Sequence, residues 1–125
     1  MDLGDLDTRE LSTEGVDVPL FIDGDTRLGD DDKPVTFRLK GVVDPDVMQA
    51  VMHATKAPSQ TPDEALAKDL KVLRAAVLGW SDNWAFKGEK LAFSRANLDK
   101  VMGVPKIRAA LMAEIAKDHH FMKGA

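Results

Sequence analysis

Two groups of side chains in this sequence have the types needed to bind a metal ion or to transfer protons. The first comprises Asp118, His119 and His120, with His53 far away along the chain. Consecutive helical residues point about 100° apart, so the two adjacent histidines are poorly placed to hold one ion. We therefore interpret them as part of a frayed, polar C-terminus without a ligand role.

The second group is the acidic stretch of residues 23–32, which contains five aspartates. A calcium-binding EF-hand loop needs a glycine at its sixth position and a glutamate at its twelfth. Counted from Asp23, those positions hold Leu28 and Pro34. The spacing excludes an EF-hand and favours a solvated, mobile hairpin tip without bound metal.

The sequence contains no recognised catalytic motif. A phosphate-binding loop, a dinucleotide fingerprint, a nucleophile elbow and a zinc-protease helix are all missing. The absence of cysteine also excludes disulfides, thiolate metal sites and cysteine nucleophiles. We expect a protein that is not an enzyme and that uses no cofactor.

The net charge of -4 is distributed unevenly along the chain. Residues 1–32 hold eleven acidic side chains and two arginines (-9), whereas residues 33–125 hold fifteen basic and ten acidic ones (+5). Because the basic residues alternate with acidic ones and the isoelectric point is near 5.3, we expect no nucleic-acid binding. Neither a secretory signal nor a membrane-spanning run is present, which predicts a soluble intracellular protein.

A chain of 125 residues can bury one hydrophobic core, so a single domain is expected over residues 1–125. We predict an α+β fold, mostly helical. An acidic N-terminal segment (1–17) precedes a β-hairpin (18–40) and a helical part (44–125). The hairpin arms are residues 18–22 and 35–39, because the second alternates apolar and polar side chains with the period of a strand.

Local capping signals predict about four helices. Asp44 and Pro45 begin the first helix, which is expected over residues 45–56. Thr61 and Glu64 form a capping box at the start of the second, in which each side chain accepts a hydrogen bond from the amide of the other residue. Gly79 is expected to end this second helix.

The segment of residues 80–93 has no helical periodicity and carries several large apolar side chains. It is predicted to be a loop held in place by its aromatic residues. Ser94 then caps a third helix, and Gly103 with Pro105 separates that helix from the last one.

Four large apolar residues are candidates for a role in partner binding or in the core. Trp80 is expected to be buried at the junction of the helices, and Trp84 to be the more exposed tryptophan. Met48 and Met52 face the same side of one helix, which fits either a core position or an adaptable binding surface. We take Trp84, Met48 and Met52 as candidate partner-binding residues.

The order of these features resembles the tail assembly chaperones of long-tailed bacteriophages. The resemblance rests on an acidic DLDTRE opening followed by EG, on a TFRLKG strand before a D-x-D helix start, on the junction VLGWSDNWAFKGEKLAFSRANLDKVM, and on the ending of residues 118–124. The junction contributes most, through Gly79-Trp80, Phe93, Ser94 and Asn97. The chain departs from the family at Val104-Pro105, where relatives often have a bulky residue.

The resemblance implies a protein that binds the phage tape measure protein, keeps it soluble and recruits the tail tube protein. Such a chaperone acts in the host cell cytoplasm and is absent from the mature virion. The sequence leaves the oligomeric state open, and a homo-oligomer is one possibility. The alternative is a permanent structural subunit of the phage particle, of the head-tail connector or tail terminator type.

Overall fold

The computed structural model describes residues 2–123 and shows an α+β fold over this range. The helices are α1 (Arg9–Glu14), α2 (Pro45–Thr55), α3 (Pro62–Ala76), α4 (Arg95–Met102) and α5 (Pro105–Ile115), with 3-10 turns at Leu3–Leu6 and Asp118–Phe121. The strands are β1 (Val16–Pro19), β2 (Phe21–Ile22), β3 (Asp25–Thr26), β4 (Thr36–Leu39) and β5 (Val77–Trp80). Gly124, which closes the last stretch of the family resemblance, lies outside the described residues.

The two predicted arms pair as an antiparallel ladder of β1 and β4, in which Val18 lies opposite Phe37. β1 begins at Val16, two residues earlier than predicted. The tip is more ordered than the loop we predicted, because β2 and β3 form a second two-stranded sheet there. Asp23 and Gly24 connect these strands with φ angles of 54° and 85°, the positive values that a tight two-residue hairpin turn needs.

The prediction that the second helix ends at Gly79 is wrong. α3 ends at Ala76, and Val77–Trp80 form β5, which pairs antiparallel with β4. The sheet therefore has the order β1-β4-β5, and β4 is its central strand. Residues 77–80 are extended because they pair with the edge of β4 that β1 leaves free. The sequence around Gly79 does not reveal this pairing, because β4 lies far away along the chain.

The acidic N-terminal segment contains a helix, α1, that we did not predict. Gly15 ends α1 with a φ of 86°, a value that glycine adopts readily. A Cβ atom at this position would lie 2.7 Å from Cδ1 of Leu78, so β5 also leaves no room for a side chain here.

Ion pairs join the acidic part of the chain to the basic part. The pairs are Glu10–Lys123 (2.9 Å), Asp17–Arg38 (3.5 Å), Asp23–Lys106 (2.5 Å) and Asp30–Lys90 (3.1 Å). All of these side chains are exposed, so each pair contributes little to stability. The pairs do compensate part of the charge asymmetry that the sequence shows.

The core lies where the inner face of the sheet meets α2, α3, α4 and α5. Its fully buried members include Val18, Phe37, Leu39, Val47, Val72, Leu73, Val101, Met102 and Leu111. The helix starts follow the sequence signals closely, since Asp44, Thr61 and Ser94 all cap their helices by accepting backbone hydrogen bonds.

The predicted capping box at Thr61 is only half formed. The Glu64 amide donates to Oγ1 of Thr61 at 3.1 Å. The Glu64 carboxylate, however, accepts from the amide of Gln60 at 2.8 Å and not from that of Thr61. The Glu64 side chain still connects the helix start to the preceding loop, but its donor is the residue before Thr61.

Replacing Thr61 with alanine should lower the free energy of unfolding by about 1 kcal/mol, because the Glu64 amide loses its acceptor. Urea denaturation measures this change. Ser59→Ala, at an exposed position in the preceding loop, is the control and should stay within about 0.5 kcal/mol of wild type. Equal midpoints for wild type and Thr61→Ala would contradict a stabilising cap.

Candidate partner-binding surface

The first turn of α2 fixes which side of this helix faces the solvent. Oδ2 of Asp44 accepts from the amides of Asp46 and Val47 at 3.1 and 3.2 Å, and Pro45 occupies the first helical position. Val47 and Ala50 are buried, and α2 packs on α3. The residues on the opposite side of α2 are therefore left at the surface.

Met48 and Met52 lie on this open side, with exposed fractions of 41% and 65%. They line a shallow depression of about 540 Å³, which we call the methionine face. Its lining residues are Pro45, Met48, Gln49, Met52, His53 and Lys56. Of the two interpretations that the sequence allowed, the structure favours a surface position over a core position for both methionines.

The other lining residues were not among our candidates, although the sequence held a signal for them. The lining positions 45, 48, 49, 52, 53 and 56 are separated by steps of three, one, three, one and three residues, as one face of a helix requires. Unbranched methionine side chains adapt to different apolar partners, and Lys56 adds a positive charge at the rim. This surface has the chemistry to bind an apolar helix stripe that carries some acidic residues.

The structure does not bring Trp84 together with the methionines. Its ring stacks on Phe37 at a centroid distance of 6.0 Å and meets Trp80 edge-on at 5.2 Å. Trp84 is partly buried, and its indole N–H is buried without a hydrogen-bond partner among residues 2–123. The core therefore accounts for the position of Trp84, and its indole N–H remains unsatisfied.

Trp80 is partly buried, whereas we expected it to be buried. Its indole N–H donates to the carbonyl oxygen of Leu91 at 2.9 Å, and its ring packs edge-on against Phe93 at 4.9 Å. Trp80 thus holds the end of the loop at residues 81–93 against β5. This agrees with the predicted role of the loop's aromatic residues.

The C-terminal titratable residues are not frayed, contrary to our expectation. Glu114 is only 5% exposed and accepts hydrogen bonds from Nζ of Lys117 at 2.7 Å and from Nε2 of His120. Burial alone would raise the pKa of Glu114, but the bonds from Lys117 and His120 outweigh it and lower this pKa. His120 therefore serves as a structural partner of a buried carboxylate.

Phe121 anchors the same segment. It is buried at the end of the 3-10 turn that follows α5. Gly41 makes the space for this contact, because a Cβ atom there would lie 2.3 Å from Oγ of Ser12 and 3.0 Å from Cδ2 of Phe121. No local sequence pattern predicts this docking, since the three residues are far apart along the chain.

Three of the five aspartates of the hairpin tip pair or hydrogen-bond with other side chains. Asp23 pairs with Lys106 and Asp30 with Lys90. The side-chain amide of Asn83 donates to Oδ1 of Asp31 at 2.9 Å. The Asn83 bond is the main reason why the pKa of Asp31 is lowered. Within residues 2–123, no three acidic or histidine side chains are grouped closely enough to hold a metal ion.

Comparisons of the chain with models of protein families, with curated proteins and with solved structures found no match. In the part of the chain that the structure describes, no helix has the length and apolar character needed to cross a membrane.

Proposed function

We propose that this protein is a tail assembly chaperone of a long-tailed bacteriophage. It binds the tape measure protein, keeps it soluble and recruits the tail tube protein, and it catalyses no reaction. It acts in the host cell cytoplasm and does not enter the mature virion. The observation that carries the proposal is the exposed pair Met48 and Met52 on the open side of α2, the helix whose Val47 and Ala50 are buried in the core.

The methionine face suits the partner that the family resemblance implies. A tape measure protein is a long helical chain, and its apolar stripes need covering before the tail tube forms around them. An apolar side chain of such a helix can enter the depression beside Met48 and Met52, as in helix-in-groove recognition. Each contact is small, but many copies along one tape measure protein bind with high total strength.

Replacing Met52 with aspartate should abolish the solubilising effect, because it places a charge in the apolar contact. The test is co-expression with the tape measure protein encoded nearby, followed by centrifugation and co-purification. We expect the dissociation constant to rise at least about tenfold, which corresponds to about 1.4 kcal/mol of binding free energy, and the soluble fraction of the tape measure protein to fall with it. Met52 is exposed, so the melting temperature of the variant should remain that of wild type.

Leu28→Asp is the matched control, because Leu28 is also exposed and apolar but does not line the methionine face. If Leu28→Asp reduces solubility as much as Met52→Asp, the methionine face is not the binding site. The protein content of purified phage particles tests the rest of the proposal. If this protein is present in the purified particles in fixed stoichiometry, the alternative is correct, and the protein is a permanent connector or terminator subunit.

A further inference from the structure

A second concave surface lies between the turn at residues 86–89 and the junction of α4 with α5. The turn is closed by hydrogen bonds between the backbones of Phe86 and Glu89, at 2.7 and 3.1 Å. Lys87 and Gly88 at its tip have φ angles of 50° and 85°. The resulting groove has a volume of about 600 Å³, and we call it the lysine groove.

The lysine groove combines apolar walls with a net positive charge. Phe86, Leu91 and Val104 supply the apolar surface. Lys87 and Lys100 line the groove and form no ion pair with any residue between positions 2 and 123. Glu89 is the acidic residue of the lining, which leaves a net charge of +1. A ligand that presents apolar side chains between carboxylates fits this surface.

The chain itself carries such a ligand in residues 2–7, Asp-Leu-Gly-Asp-Leu-Asp, which we call the Asp-Leu segment. All six residues are exposed, and the exposed fractions of Leu3 and Leu6 are 73% and 46%. A partner that buries these two leucines therefore gains the free energy of removing apolar surface from water.

The Asp-Leu segment is also held in one conformation before it binds. Oδ1 of Asp2 accepts from the amide of Gly4 at 2.8 Å and caps the 3-10 turn. At the other end, Arg9 donates to both carboxylate oxygens of Asp7, at 2.9 and 2.7 Å. An ordered ligand loses less conformational entropy on binding.

We propose that the Asp-Leu segment of one copy binds in the lysine groove of a second copy. Leu3 and Leu6 contact the apolar walls, and the carboxylates of Asp2 and Asp5 lie near the two lysines. The charges are complementary, since the segment carries three aspartates and the groove a net positive charge. This inference does not rest on the proposed function, and it uses a surface other than the methionine face.

The contact is heterologous, because each copy contributes a segment on one side and a groove on the other. Copies therefore associate head to tail, and the average mass rises with concentration. Salt should weaken the association, since screening at about 0.5 M reduces the attraction between exposed charges. Sedimentation equilibrium of the full chain at low and high salt measures both effects.

Two variants each remove one half of the contact. Leu3→Asp alters the segment, and Lys87→Glu combined with Lys100→Glu alters the groove. Each should raise the dissociation constant at least about tenfold. All three positions are exposed, so the thermal melting curves should remain those of wild type. The matched controls Leu28→Asp and Lys71→Glu change exposed residues outside both surfaces and should associate as wild type does.

Mixing the two variants gives the decisive result. The Leu3→Asp copy retains an intact groove and the double lysine variant retains an intact segment, so the mixture should form a complex of one copy of each and stop there. A wild-type chain that stays monomeric at about millimolar concentration, near the weak limit for specific binding, would overturn the proposal. Self-association of Leu3→Asp at wild-type strength, or a mixture that forms no complex, would overturn it as well.

Discussion

Replacing Trp80 with alanine should lower the free energy of unfolding by up to about 3–5 kcal/mol, the range for a core aromatic, because this partly buried ring packs against the core. The substitution removes edge-on contacts with Phe37 (5.8 Å), Trp84 (5.2 Å) and Phe93 (4.9 Å). It also leaves the carbonyl oxygen of Leu91 without its donor. A domain of this size is typically stable by about 5–15 kcal/mol, so much of its stability is lost.

Urea denaturation and thermal unfolding measure this loss, and a matched pair of smaller substitutions separates its causes. Trp80→Phe and Trp84→Phe remove the same atoms from neighbouring rings. Only Trp80→Phe breaks a hydrogen bond, whereas Trp84→Phe removes a buried N–H that has no partner among residues 2–123. We therefore expect Trp80→Phe to be the more destabilising by about 1 kcal/mol or more. A stable Trp80→Ala variant that no longer binds the tape measure protein would instead identify Trp80 as an exposed anchor.

Replacing Asp44 with alanine should cost about 2–4 kcal/mol, because this carboxylate is buried and accepts several hydrogen bonds. Asp44 is only 2% exposed. It caps α2, and Oδ1 also accepts from Oγ1 of Thr13 at 2.9 Å and lies 3.5 Å from Nζ of Lys40. Its removal leaves the Thr13 hydroxyl and the amides of Asp46 and Val47 without this acceptor, and Lys40 without its ion-pair partner.

The contribution of the Asp44 charge to the free energy of unfolding should depend on pH. Burial alone would raise the pKa of Asp44, but the hydrogen bonds from Thr13, Val47 and Asp46 and the charge of Lys40 outweigh burial and lower it. A lowered folded-state pKa means that the stabilisation is complete above the ordinary aspartate pKa near 4. It is lost as the pH falls toward the lower folded-state value.

Urea denaturation of wild type and Asp44→Asn at pH 7 and at about pH 3 tests this dependence. The gap in stability between the two proteins should be largest at pH 7 and should shrink at acid pH. Asp46→Asn, on the exposed side of the same first turn, is the control and should differ from wild type by less than about 0.5 kcal/mol. A gap that is independent of pH would contradict a role for the charge.

Several features of the fold could be predicted from the sequence because their causes are local. Asp44, Thr61 and Ser94 cap helices by accepting from amides within three residues of themselves. Gly103 and Pro105 separate α4 from α5 in the same local way. The Asp23-Gly24 turn was equally readable, since this dipeptide is a strong signal for a tight hairpin, but we interpreted the stretch only as a long loop.

The candidate surface could be predicted only in part. The spacing of Met48 and Met52 placed both on one side of α2. Whether that side faced the core or the solvent depended on where α3 packs, and the packing buries Val47 and Ala50 instead. The position of Trp84 could not be predicted either, because its contact with Phe37 joins residues 47 positions apart.

The sequence by itself determined where most helices begin, that two N-terminal arms form strands and which catalytic motifs are missing, because these depend on residues close together or on residue types alone. Only the tertiary structure decided that Val77–Trp80 form a strand, since the edge of β4 supplies the hydrogen bonds that a helix would otherwise provide. It also decided that Phe121 is buried, because this ring packs beside Gly41, where the missing Cβ atom leaves room for it. In both places, contacts between distant segments determine the conformation. Burying an aromatic side chain or pairing a strand edge stabilises the fold by more than the differences in helix propensity between residues.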